Sequence, residues 1–352
     1  MKFKQNLVED TIGNAVQKAE QNLEMVGSDD VDIVSKEGDI EDALEKAYRV
    51  NRRVNRRGRG QFVSILLIGH AGVGKTQRVK SWCKKHNLHL IQKNAQTEDI
   101  GNLAGIFAPS EDRTKALNLP TGAYDELDKE DVALFLDEFN RASSQVRFTL
   151  AQLINEHKIP NSMESGGYHY FKNIQLVVAA INPAKYGEYN TDELDIAEMD
   201  RFYSVWVKPS KSHTLNYLKE KYDEEMEYDL EDGDEEAYKE DLGRKNLAVA
   251  LLTSKYFEFD DDEEIEKSAE DKTHILSPRG LEEVIQICDG TKDSLLKEWN
   301  SVCNPRKKDM AERILANYKD VDDKANSVFK GNPFKQNGTD NWKKIRNGLD
   351  QI

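Results

Sequence analysis

Gly69-His70-Ala71-Gly72-Val73-Gly74-Lys75-Thr76 is the stretch on which the fold turns. Its spacing is that of a phosphate-binding P-loop: a glycine, four residues, then Gly-Lys-Thr. The setting agrees, because the apolar run Phe62 to Ile68 leads into it and a helical segment opens with Lys75 and Thr76. Glycines in such a turn let backbone N–H groups point inward at phosphate oxygens, and the helix N-terminus adds partial positive charge. Lys75 would neutralise the β and γ phosphates, and the Thr76 hydroxyl would hold Mg²⁺. The candidate nucleotide-binding residues are therefore Gly69, His70, Ala71, Gly72, Val73, Gly74, Lys75, Thr76 and Gln77.

Outward from this turn, short and almost uninterrupted apolar runs alternate with helical stretches. The runs are Phe62 to Ile68, Leu88 to Ile91, Val132 to Leu136, Leu176 to Ile181 and Tyr203 to Val207. Continuous apolar strands between helices indicate a parallel sheet covered on both faces. Ser143 to His157 sets Val146, Leu150, Leu153 and Ile154 at helical spacing, so a helix with one apolar stripe follows the third strand.

That third run ends in Asp137 and Glu138, two carboxylates at the C-terminal end of a strand, where open α/β sheets bind ligands. Downstream of a P-loop this is a Walker B pattern. Asp137 is expected to bind Mg²⁺ and Glu138 to act as the base for an attacking water. Asn182 ends the fourth run just before Pro183, where its amide could orient the same water; Asn-Pro is also an ordinary turn opener.

Composition narrows the class. The longest apolar stretches, Val63 to Ile68 and Leu176 to Ile181, are strand-length and too short to cross a bilayer. Three scattered cysteines, Cys83, Cys288 and Cys303, offer no disulfide or zinc framework, and the N-terminus lacks an apolar secretory core, so a cytoplasmic protein is expected. The balance of 50 basic against 65 acidic residues, a net charge of -15, repels nucleic acid as a whole. One patch runs the other way: Arg49, Arg52, Arg53, Arg56, Arg57 and Arg59 precede the first strand and could meet phosphates or simply be solvated.

Four segments are expected: an N-terminal helical segment (1 to 35), a large α/β domain (36 to 209), a helical lid (210 to 290) and a helical tail (291 to 352). A helix is expected from Ile40 to Val54, and helical periodicity dominates beyond Pro209. The acidic runs Asp223 to Glu240 and Asp260 to Glu270 read as solvated loops interrupting the lid.

Asp137-Glu138-Phe139-Asn140-Arg141-Ala142, the helix Phe148 to His157, a hairpin expected over Ile159 to Phe171, and Val178-Ala179-Ala180-Ile181-Asn182-Pro183 together resemble the MoxR-like and dynein-related AAA+ ATPases. The resemblance extends through Ala197-Glu198-Met199-Asp200-Arg201-Phe202, similar to the family's Leu-Asp-Arg-Phe box, and Ser277-Pro278-Arg279, similar to its second sensor. It covers roughly residues 40 to 290. It implies an α/β fold, an AAA+ P-loop NTPase core with a five-stranded parallel sheet, followed by a small helical lid. It further implies ATP and Mg²⁺ as ligands and a homo-oligomeric, hexameric ring acting on a protein client, with a von Willebrand factor A domain protein as a frequent partner of relatives. By motif match Asn182 resembles sensor 1, Arg279 sensor 2, and Arg201 the arginine finger given to a neighbouring subunit. Read without the family, Arg201 is a surface arginine and Arg279 a helix-opening residue. Asp99 to Leu127 and Ile159 to Phe171 resemble the family's pore-side insertions, although their composition alone reads as loops. The acidic lid runs and Ile275-Leu276 ahead of the Ser-Pro-Arg depart from the family pattern.

Two other classes stay open. A GTP- or ATP-driven nucleic-acid or restriction-type motor would use the arginine run, and a nucleotide-gated scaffold would bind without turnover. The presence of Lys75, Asp137, Glu138 and Asn182 together speaks for hydrolysis.

Overall fold

The computed structural model describes residues 40–58, 60–183, 194–316 and 318; the helix expected within residues 1 to 35, Arg59 and the tail beyond 318 lie outside them. In chain order α1 (Ile40–Arg57) leads into β1 (Ser64–Ile68), the glycine turn, α2 (Lys75–Lys85) and β2 (His89–Asn94). A short α3 (Ile100–Ala104) and the hairpin β3 (Ile106–Pro109) and β4 (Ala116–Leu119) precede β5 (Val132–Asp137) and α4 (Ser144–Glu156). A second hairpin, β6 (Lys158–Pro160) and β7 (Tyr168–Tyr170), leads to β8 (Ile174–Ile181), and α5 (Ile196–Met199) to β9 (Phe202–Trp206). Helices α6 (Lys211–Asp232), α7 (Glu235–Thr253), α8 (Asp262–Asp271), α9 (Pro278–Ile287), α10 (Lys292–Val302) and α11 (Lys308–Leu315) follow.

The expected five-stranded sheet is present, ordered β2-β5-β8-β1-β9 with every neighbouring pair parallel. Side chains alternate between its faces, as strand geometry requires. Leu66, Leu134, Leu136, Val177 and Ala179 pack with Val146, Leu150 and Leu153 of α4. Ile65, Leu67, Ala133, Phe135 and Val178 pack on the other face with α1 and with Val79 and Trp82 of α2. Burial of both faces is why these strands read as unbroken apolar runs rather than alternating ones. The register pairs Ile68 with Ile181 and Asn94 with Asp137, so the ends of β1, β2, β5 and β8 share one edge of the sheet.

Beyond Pro209 the helices build a separate apolar cluster that includes Leu218, Tyr222, Leu251, Leu281, Trp299 and Leu315. Helices α10 and α11, from the segment set apart at residue 291, belong to it. Here the expectation of acidic loops is corrected. Asp223 to Glu240 lies almost wholly in α6 and α7, and Asp260 to Glu270 mostly in α8. Leu218, Tyr222 and Met226 recur every fourth residue on one buried face of α6, so the charges occupy the solvated face of a real helix. Asp261 and Glu264 form a reciprocal capping box that starts α8, and acidic residues in its first turn suit the helix dipole.

His157 closes α4 in a left-handed conformation (φ 51°) and stacks on Phe62 with ring centroids 3.8 Å apart. It is 2 % exposed, and neither ring nitrogen has a hydrogen-bond partner among the described residues. Burial pushes its pKa from the ordinary 6.5 to about 3. The unfolded chain therefore takes up the proton first, and stability is full above pH 6.5 and falls as pH drops toward 3. From pH 6.5 to 5 the expected loss from this residue is about 2 kcal/mol. Denaturant midpoints at pH 7 and pH 5 should separate further in the wild type than in His157→Phe; equal separations would refute this.

Candidate active site

The glycine turn sits where β1 leaves the sheet. Gly72 (φ 80°) and Gly74 (φ 92°) are left-handed, the conformation that turns successive N–H groups toward one concave point and that side chains disfavour. Gly72 also lies against the start of α9. The Arg279 backbone N–H donates to its carbonyl at 3.2 Å, and a Cβ on it would lie 2.7 Å from Ser277 Oγ. Gly72→Ala is expected to cost about 1–3 kcal/mol and to weaken nucleotide binding, because both the backbone and the α9 contact are strained. Thermal melting with and without ATP checks this, and an unchanged melt in both conditions would contradict it.

Lys75 is buried, and its Nζ donates to the carbonyls of Gly69 (2.5 Å) and His70 (2.9 Å) and to Asn182 Oδ1 (2.9 Å). Burial pushes its pKa down to about 8; Asp137 and Glu138 pull it back up, and the nearby Arg279 guanidinium pushes it down. The ammonium therefore remains mostly charged at neutral pH. Next to it Thr76 Oγ1 donates to Asp137 Oδ2 at 3.1 Å, tying the turn to the end of β5.

Glu138 is a non-glycine residue held left-handed (φ 53°), with its backbone N–H donating to Asp137 Oδ1 at 3.0 Å. Its carboxylate is fixed from two sides. Asn94 Nδ2, at the end of β2, donates to Oε2 at 3.3 Å, and Arg141 Nη1 lies 3.2 Å from Oε1. Asn140 Nδ2 donates to the Asn182 carbonyl at 2.7 Å, so the turn after β5 also holds the end of β8.

A cavity of about 640 Å³ opens over these groups, a size that suits a drug-sized or nucleotide ligand. Lys75, Thr76, Asp137, Glu138, Asn182 and Arg279 line it. Ala71, Gly72, Val73, Gly74 and Gln77 line it too, whereas Gly69 and His70 contribute the carbonyls that hold Lys75. The His70 ring is buried, its Nε2 lying 3.3 Å from Asp262 Oδ1 of α8, and burial lowers its pKa. Glu41 of α1 and His213 and Tyr217 of α6 also line the cavity, with His213 Nε2 3.7 Å from Glu41 Oε2.

Arg201 stands apart. It lies at the start of β9, beside Phe202, which pairs with Ser64 at the opposite end of β1 from the glycine turn. Its Nε donates to the Ala197 carbonyl at 3.1 Å. Asn94 is a site residue that the sequence did not mark, and Asn140 and Arg141 entered there only within the Asp137 to Ala142 motif, with no role given. For Asn94 the usable signal is its place at the C-terminal end of a strand neighbouring β5.

The donor set fits a nucleoside triphosphate with Mg²⁺. An inward-facing glycine turn with a charged lysine suits phosphate oxygens, and a threonine hydroxyl touching an aspartate offers hard oxygen ligands.

Residues 64–202 match the family model described as AAA domain (dynein-related subfamily). Among solved structures, the chain is similar to a point mutant of RuvB from Thermotoga maritima at 13% identity, covering 80% of this chain and 71% of that one, with a TM-score of 0.39. It is also similar to NtrX from Brucella abortus in complex with ADP, at 13% identity over 70% of this chain and 54% of that one, TM-score 0.32. No curated protein sequence matches the chain. No helix among the described residues is long and apolar enough to cross a membrane. With its sheet order and the glycine turn after β1, the chain has the AAA+ P-loop NTPase fold, and residues 64–202 are similar to the AAA domain of the dynein-related subfamily.

Proposed function

We propose that this chain is a MoxR-like ATPase that binds ATP with Mg²⁺, hydrolyses it within a homo-oligomeric ring, and uses the cycle to remodel a protein client. The observation that carries the reading is one junction: Lys75 bonded to Asn182, and Thr76 bonded to Asp137, beside Glu138. Lys75 and the glycine turn hold the phosphates, and Asn182 and Glu138 orient the attacking water, whose proton Glu138 accepts as the γ-phosphoryl leaves ADP. Bound Mg²⁺, held by Thr76 and Asp137, would supply neutralisation of the phosphate charge. Arg279 reaches the site from the lid side, and Arg201 completes the site of a neighbouring copy. A von Willebrand factor A domain protein is the adaptor class this reading suggests, in a hexamer. Three free, buried cysteines suit a reducing cytoplasm.

A second reading, a nucleic-acid motor using ATP or GTP, is favoured by one observation. Arg49, Arg52, Arg53, Arg56 and Arg57 are all exposed on α1. Steady-state hydrolysis of ATP and GTP, with and without DNA or RNA, combined with mass photometry, tests both. ATP turnover by a ring, indifferent to nucleic acid, supports the remodeller. Salt-sensitive stimulation by nucleic acid supports the motor, and no turnover with either nucleotide rejects both.

A further inference from the structure

Arg147 of α4 is a buried arginine, 6 % exposed, and such a charge persists only where acceptors are supplied. Two are. Its Nη1 donates to the Ala142 carbonyl at 2.6 Å and its Nε to Glu198 Oε1 at 2.8 Å. Ala142 ends the turn that carries Glu138, Asn140 and Arg141. Glu198 belongs to α5, where its Oε2 accepts from the Asp195 backbone N–H at 3.0 Å and its own N–H donates to Asp195 Oδ1 at 2.7 Å. The same four-residue helix leads into Arg201, whose Nε and backbone N–H donate to the Ala197 and Glu198 carbonyls. One carboxylate therefore caps the helix that holds Arg201 and anchors it to the turn that presents the base.

We propose that the Arg147–Glu198 pair positions Arg201 for the neighbouring subunit's site, so that each chain's hydrolytic turn sets the placement of the finger it lends. This rests on the reading of Arg201 given above. An ion pair of this burial and geometry has two properties a surface pair lacks: it is weakly screened, and it holds its partners in one orientation. Neither residue lines the nucleotide cavity, so both act through Arg201 rather than on the reacting atoms.

Mixed rings separate the lent finger from the chain's own site. Full-length Glu138→Gln chains lack the base and keep Arg201; Arg201→Ala chains lack the finger and keep Glu138. Each alone is expected to be inactive, and their mixture to recover ATP hydrolysis. Adding Glu198→Gln to the Glu138→Gln chain is expected to cut the recovered rate by about tenfold or more, since small misplacements of a catalytic group are costly. Adding it to the Arg201→Ala chain is expected to leave the rate unchanged. Equal losses in both arms identify an ordinary structural pair and overturn the inference, as does no loss in either. A parent mixture with no recovery overturns the finger assignment itself, and the inference falls with it. If Glu198→Gln chains melt at a much lower temperature, Arg147→Lys and Arg147→Gln in the same two positions keep the test: lysine should preserve recovery better than glutamine, in the finger-lending chain only.

Discussion

Arg201→Ala is expected to lower ATP turnover by about 10³- to 10⁵-fold while nucleotide affinity stays unchanged, the size of effect an arginine supplied in trans can have. The geometry explains why the effect should be confined to turnover. Phe202 pairs with Ser64, whereas the glycine turn follows Ile68, four strand positions away, roughly 13 Å along the sheet. Arg201 is absent from the lining of its own chain's cavity, so in the proposed reading it acts on the site of a neighbouring copy. Wild-type specific activity should accordingly rise with protein concentration as rings assemble, and the variant should stay low throughout. A loss of only a few-fold, or a loss matched by weaker binding, would contradict this placement.

Glu138→Gln is expected to lower turnover about 10²- to 10⁴-fold and to leave ATP bound. Glutamine keeps an oxygen able to accept from Asn94, so the local structure should survive while the proton acceptor is lost. Single-turnover measurements with bound nucleotide separate the two effects. Equal losses of binding and hydrolysis would mean that Glu138 holds the site together rather than acting on water. Asn94 and Arg141 both contact the Glu138 carboxylate, and its left-handed backbone is the kind of strain that persists when surroundings over-determine a residue.

The parallel sheet was legible because β1, β5 and β8 are buried on both faces, which leaves runs such as Ile65 to Ile68, Val132 to Leu136 and Leu176 to Ile181 without a polar residue. The placement of Gly69, Asp137 and Asn182 at one edge followed from that directly. At β2 the same signal stopped short: its apolar run ends at Ile91, yet the strand continues through Gln92 and Lys93 to Asn94. It is an edge strand, so its last residues are partly solvated and carry no hydrophobic signature. Asn94, which lines the cavity, was lost with them. The hairpin β3–β4 was illegible for a related reason, since Phe107 is 71 % exposed and its pairing is made by backbone hydrogen bonds that composition does not encode. In α6 the abundance of Asp and Glu masked the spacing of Leu218, Tyr222 and Met226, which decides the helix. The contacts of Arg147 depend on two segments about fifty residues apart meeting at one buried point, and no local pattern announces that.

The junction of Lys75, Thr76, Asp137 and Asn182 thus joins three strand ends through side chains that have no apolar reason to meet. The proposal that it cradles a triphosphate is open to a direct check. Calorimetric titration of ATP into the full-length Glu138→Gln protein should show saturable binding that Mg²⁺ strengthens, that a chelator weakens, and that a second substitution, Lys75→Ala, abolishes. Binding indifferent to both Lys75 and Mg²⁺, or no binding at all, would contradict the account.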